Sequence, residues 1–265
     1  MKGTVHYEVK DGVAILTVDN PPVNPLSDGV RAGLVDNIKK AEDDSDIIGV
    51  VLTGAGRSFI AGADISEFGK SPDGPGLDEA FKSLEFCSKP VVAAINGSAL
   101  GGGLETALVC NYRIAGPAAF VGLPEVNLGL LPGAGGTQRL PRLVGPAEAL
   151  KMMLTGMHVN AKKALDMGII DEISDDLIND SVNFVKKVSS ESGDHPKVRD
   201  LNEKVLEARG SENILLEAKA MAAKSRKGQF APGQIIKCVE AAINLDDFDE
   251  GMKKESDYFI ECLVN

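Results

Sequence analysis

Hydrophobic spacing changes along this chain, and the changes mark its elements. Two β-branched runs, 4–10 and 13–19, meet at Asp11-Gly12, which predicts a hairpin with a two-residue turn. Asn20-Pro21-Pro22 then breaks the second strand. Ser27 stands as the N-cap of a helix reaching about Asp43, with Val30, Leu34 and Ile38 on one face. The unbroken apolar runs IIGVVLT (47–53) and PVVAAI (90–95) read as strands buried on both faces of a parallel sheet. A glycine-rich loop and a helical stretch at 77–88 lie between them. NGSALGGG follows, then a helix at about 103–110 and the strand-like segments YRIA (112–115) and AAFV (118–121). Strands and helices alternating at this spacing predict βαβ units and an α/β fold class.

From residue 146 onward the spacing is almost wholly helical. Asn160 is placed to cap AKKALDM and Gly168 to end it, and Ser211 opens a further helix carrying Ile214, Ala218, Met221 and Ala222. The most linker-like stretch is 189–200, SSESGDHPKVRD. The expected division is therefore an α/β core over 1–190 and a helical C-terminal part over 191–265.

Composition narrows the class. The chain is 43% hydrophobic and 25% charged over 265 residues, ordinary for a globular protein with a sizeable core. No apolar run reaches eighteen residues, and the N-terminus lacks a signal-like stretch, so a cytoplasmic location without membrane insertion is expected. Cys87, Cys110, Cys238 and Cys262 form no C-x-x-C pair, so reduced structural thiols are expected. A formal net charge of -11 argues against nucleic acid and anionic membranes as partners. The same charge is awkward for an anionic ligand, although screening leaves that question to local patches. The clearest basic cluster, Lys224-Ser225-Arg226-Lys227, reads by itself as a solvated helix end.

Several chemical signatures fail on inspection. Gly54 and Gly56 start a dinucleotide fingerprint that Phe59 breaks, and Gly133 and Gly135 start one that Gln138 breaks. Gly69-Lys70-Ser71 resembles the end of a phosphate loop, but Asp64 occupies the first glycine position. Asn96 spoils a nucleophile elbow at Ser98. His6, His158 and His195 are too scattered to suggest a metal pair.

Three glycine-rich segments remain: SFIAGADISEF (58–68), INGSALGGGLETAL (95–108) and VGLPEVNLGLLPGAGGTQRL (121–140). Glycines let backbone approach a ligand closely, and the first amides of a helix lack internal partners. Two such amides from two turns would make an oxyanion hole. Each segment alone also suits an ordinary strand-to-helix turn, and Glu105 in a first helical turn simply favours the helix dipole. Their occurrence together and in this order carries the weight.

The segments IAGADI, NGSALGGGLE, LPEVNLGLLPGAGGTQRL and LTGMHVNAKKALDMGIID closely resemble the crotonase, or enoyl-CoA hydratase, superfamily over nearly the whole length. FAPGQIIKCVEAA (230–242) resembles the end of the hydratase/isomerase part of bifunctional β-oxidation enzymes, which join it to a 3-hydroxyacyl-CoA dehydrogenase. The resemblance implies a crotonase-like ββα spiral core with a helical C-terminal part. It implies Glu105 and Glu125 as paired catalytic acids, and the amides of Ala63 and Gly102 as holders of a thioester oxygen. It places Leu26, Ala61, Asp64, Ile65, Pro124 and Gly133 around the substrate. It departs from the family at Thr106, where aliphatic residues are frequent.

The implied activity is hydration of trans-2-enoyl-CoA to 3-hydroxyacyl-CoA in fatty acid β-oxidation, with CoA part of the substrate and no metal or redox cofactor. Δ3-Δ2-enoyl-CoA isomerisation is the nearest rival. Thioester hydrolysis and non-catalytic acyl-CoA binding are rivals of other classes. The resemblance further implies a homotrimer or hexamer, or else fusion or association with a dehydrogenase.

Overall fold

The computed structural model describes residues 3–64, 67, 74–191 and 193–265. The N-terminal hairpin forms as its spacing predicts: β1 (Thr4–Lys10) pairs antiparallel with β2 (Val13–Asp19), with Lys10 opposite Val13. Asp11 and Gly12 have φ of 52° and 79°, the positive values a two-residue turn needs to match strand twist.

Three similar turns of chain follow. Each lays one longer strand in a first sheet, one short strand in a second, and then a helix or helical segment. The first is β3 (Gly49–Gly54), β4 (Ser58–Ile60) and α2 (Leu77–Glu85). The second is β5 (Val91–Ile95), β6 (Ser98–Leu100) and α3 (Gly102–Val109). The third is β7 (Tyr112–Ala115) and β8 (Phe120–Gly122), followed by a 3-10 turn at Glu125–Leu128. α1 (Asp28–Asp43) precedes the series. The result is a six-stranded sheet ordered β1-β2-β3-β5-β7-β10, with β10 at Glu172–Ile173, and a four-stranded sheet ordered β4-β6-β8-β9, with β9 at His158–Asn160. This is the ββα spiral that the resemblance implied. Periodicity alone suggested ordinary βαβ units, because three-residue strands such as SFI and SAL are too short to show an alternation.

Both faces of the larger sheet are covered, which explains its unbroken apolar runs. Val182 and Val185 of α7 (Leu177–Ser189) pack on Val51, Val92, Ala94 and Ile114. The opposite face joins the main core through Val50, Leu52, Val91, Ala93 and Ile95. That core continues through α4 (Gly136–Val144) and α5 (Pro146–Thr155) to Val239, Ile243 and Cys262 of the C-terminal helices. Those helices are α8 (Glu203–Glu207), α9 (Glu212–Ser225), α10 (Ala231–Asn244) and α11 (Phe248–Leu263).

Local capping follows the sequence. The Asn160 side chain accepts a 2.9 Å bond from the Lys163 amide at the start of α6 (Ala161–Met167), and Gly168 ends α6 at φ 79°. Ser27 precedes α1 as expected, but its hydroxyl accepts from the Asn20 side chain at 3.0 Å. The basic cluster after α9 differs from expectation. Lys224 and Lys227 are exposed, but the Arg226 guanidinium bonds the Leu154 and Thr155 carbonyls and Asn127, closing the end of α5. Among the described residues no helix is long and apolar enough to cross a membrane. All four cysteines are free, and burial pushes the Cys110 thiol up to about 12, so it is unreactive near neutral pH.

Candidate active site

The short sheet ends where the spiral's turns meet, and a cavity of about 540 Å³ opens there. Ala61, Ala63 and Asp64 form one wall, Gly101, Gly102 and Glu105 a second, and Pro124, Glu125, Gly133 and Ala134 a third. Leu77, Leu128, Leu130 and Leu131 supply apolar surface, and Phe259 of α11 closes one side. Eight of the residues expected around the substrate or reaction therefore share one cavity: Ala61, Ala63, Asp64, Gly102, Glu105, Pro124, Glu125 and Gly133. Leu26 is buried behind this wall, bridged to Ala63 and donating its amide to the Gly62 carbonyl at 3.0 Å. Ile65 lies outside the described residues.

The turn before α3 requires glycine. Gly101 has φ 54° and ψ -125°, a backbone state that residues with a Cβ avoid, and a methyl there would lie 3.1 Å from the Glu125 carboxylate. A methyl at Gly102 would stand 3.2 Å from the Ala63 nitrogen, so the two turns approach as closely as backbone allows. The Ala63 and Gly102 amides pair with no acceptor among the described residues. Two free donors on facing turns of a cavity are what an oxygen gaining negative charge needs. Thr106 bonds locally: its hydroxyl donates to the Gly102 carbonyl at 2.7 Å and leaves the cavity untouched.

The two glutamates have opposite surroundings. Glu105, in the first turn of α3, is buried, and its Oε1 accepts bonds from the Ala134 amide at 2.9 Å and the Gly136 amide at 2.8 Å. Burial raises its pKa, while those two amides and the charge of Arg139 hold it down. Glu125 opens the 3-10 turn after Pro124, and its Oε2 is buried with no hydrogen-bond partner among the described residues. Burial, and then the charge of Glu105, push Glu125 well above the usual carboxylate range. One carboxyl thus has donors for its ionised form, and the other is favoured in its neutral form.

Three supporting residues escaped sequence reasoning. Arg139 of α4 makes a buried two-pronged pair with Glu85 at 2.9 and 2.8 Å, tying α4 to the end of α2. Neither residue has a local sequence signal, because the pair joins distant segments. Glu255 of α11 is fully buried and bonds the turn at Gly135 and Thr137. Its signal was available: it shares helical spacing with Phe248, Gly251 and Cys262, the buried stripe of α11. No group of three or more potential metal-ligating side chains occurs among the described residues.

The arrangement matches known proteins. The family description "Enoyl-CoA hydratase/isomerase" matches residues 8–231. The "Peroxisomal bifunctional enzyme" of Danio rerio is 41% identical over 253 residues, 95% of this chain and 35% of that protein. The chain therefore spans about a third of the length of such relatives. A solved structure of an enoyl-CoA hydratase/isomerase from Pseudoalteromonas atlantica T6c superposes with a TM-score of 0.72 at 26% identity, covering 99% of this chain and 92% of that one. Pseudomonas aeruginosa DspI superposes with a TM-score of 0.66 at 33% identity, covering 84% of this chain and 88% of that one. On its sequence, its spiral fold and the match across most of its length, this chain belongs to the enoyl-CoA hydratase/isomerase family.

Proposed function

We propose that this chain hydrates trans-2-enoyl-CoA thioesters, with Glu105 as base and Glu125 as proton donor. The observation that carries the reading is the pair of carboxyls facing one cavity with opposed surroundings: Glu105 has amide donors for its charged form, and Glu125 has an unpaired buried oxygen. The thioester oxygen accepts from the Ala63 and Gly102 amides, which draws electrons from the double bond and leaves its β-carbon electrophilic. Glu105 takes a proton from water as the water oxygen bonds to that carbon. The double-bond electrons move toward the thioester oxygen, and Glu125 gives its proton to the α-carbon. Glu105 ends protonated and Glu125 ionised, and proton exchange restores the pair. The two groups titrate as a coupled unit, so the roles describe the reacting microstate.

The mechanism uses no metal or redox cofactor, and CoA arrives with the substrate. Loss of enoyl-thioester absorbance on crotonyl-CoA is the direct test. Rapid loss is expected for the wild type, with a fall of about 10² or more in kcat for either Glu→Gln variant. No loss on crotonyl-CoA or longer 2-enoyl esters would overturn the hydratase reading.

Δ3-Δ2 isomerisation is a second activity suited to the same site. The family description includes the word isomerase, and a protonatable Glu125 beside the oxyanion donors could carry a proton between carbons. Product analysis with a 3-enoyl-CoA separates it from hydration. Association or fusion with a dehydrogenase belongs to the proposal as well, resting on similarity to proteins named bifunctional. So does the cytoplasmic location. Relatives named peroxisomal and glyoxysomal set the alternative, and cell fractionation decides.

A further inference from the structure

The turn from Ala134 to Thr137 sends its amides in two directions. Ala134 and Gly136 donate to Glu105 Oε1, at 2.9 and 2.8 Å. Gly135 donates to Glu255 Oε1 at 2.6 Å, and the Thr137 amide and hydroxyl donate to Glu255 Oε2 at 3.1 and 2.5 Å. Alternate amides of one turn are thus clamped between two buried carboxyls, one from α3 and one from α11. Glu255 is 0% exposed and does not line the cavity. Gln138 ties the same turn to α10 through the Thr137 hydroxyl and the Cys238 carbonyl, both at 3.0 Å.

We propose that Glu255 is a positioning residue, which fixes the turn whose Ala134 and Gly136 amides orient Glu105 and hold its ionised form. The kinetic part of this inference rests on the hydratase reading, while the structural part does not. If Glu255 lost its bonds to Gly135 and Thr137, the intervening peptides could rotate, and the donors to Glu105 would move with them. Titratable groups facing Glu255 are Glu105 from α3, Arg139 from α4, Cys238 from α10 and Glu125 from the 3-10 turn. Burial, then the charge of Glu105, push Glu255 up to about 8. The charge of Glu105 thus opposes ionisation of Glu255. Loss of the Ala134 and Gly136 amide donors, which hold Glu105 down, raises its pKa.

The test compares Glu255→Met, which removes every acceptor at similar length, with Glu255→Gln, which keeps one. For Glu255→Met, kcat is expected to fall about 10-fold or more, with KM within about threefold, because the residue touches no substrate. The acidic limb of the kcat/KM profile should move to higher pH, and Glu255→Gln should fall between Met and wild type. A merely structural role would lower the active fraction and leave the limb in place. A folded Glu255→Met protein with wild-type kcat and an unmoved limb would overturn the proposal. If the Met variant does not fold, the Gln variant decides by the same limb. A readout without turnover is 13C titration of glutamate carboxyls, with Glu105 assigned by its loss in Glu105→Gln. Glu105 should titrate at higher pH in the Glu255 variants, and an unchanged titration would again overturn the proposal. If the wild type hydrates no enoyl-CoA, the hydratase reading fails while this titration still decides the role of Glu255.

Discussion

Glu105 and Glu255 bond the same turn, Glu125 lines the cavity with Glu105, and burial is the largest cause of the upward shift in each. A carboxyl whose pKa is raised on folding binds its proton more tightly in the native state, so stability falls as pH rises between the unfolded and folded values. An unfolded glutamate titrates at about 4.3, and Glu255 reaches about 8. Melting temperature should therefore fall between about pH 5 and pH 8 in the wild type. Glu125→Gln removes one such titrating carboxyl, so its melting temperature should fall less over that range. Thermal melts at both pH values check this, and an equally steep fall in the variant would refute it. Glu105 and Glu125 were legible as a pair from the motifs around them. Their opposed surroundings were not, because the amides of Ala134 and Gly136 reach Glu105 from a segment some thirty residues away along the chain.

Among the elements, α4 carries the site's support. Its first residues present the turn to Glu105 and Glu255, and its Arg139 pairs with Glu85 at side-chain exposures of 5% and 2%. Breaking such a pair by removing one partner typically costs about 3–5 kcal/mol, and Arg199, 3.6 Å from Glu85 Oε2, relieves only part of that cost. Arg139→Met should therefore destabilise strongly in denaturant titration, and Glu85→Gln added to it should recover much of the loss. A double variant no more stable than the single one would mean that lost packing, including the stacking of Arg139 over Phe248, sets the cost. Helix positions read well from spacing: α1, α3, α6 and α9 lie within a residue or two of expectation. The faces they bury read less well, since α11 places a glutamate within its apolar stripe and only the opposing turn explains it.

At the scale of the molecule, α11 folds back over the cavity of its own chain. Phe259 lines the cavity, and a methyl at Gly133 would strike the Phe259 ring at 2.6 Å. In this chain α11 therefore supplies part of the wall of its own cavity. Activity per chain is expected to stay constant on dilution, whatever oligomer forms, and sedimentation over the same range would report that oligomer. A fall in specific activity that tracks dissociation would mean a partner chain completes the site.

The sequence by itself determined many of the elements and the family. Spacing set the hairpin, the buried strands and the helices, and local turn chemistry set the glycine-rich approaches to the cavity. The family resemblance carried by those motifs implied both glutamates and the two amides. Tertiary structure decided what no local pattern can encode: the winding of short strands into a second sheet, the ionic tie between α2 and α4, and the burial of Glu255 against the turn that holds Glu105. Each of these joins segments far apart in the chain, where the energy lies in a contact between elements and not in the preference of either one alone.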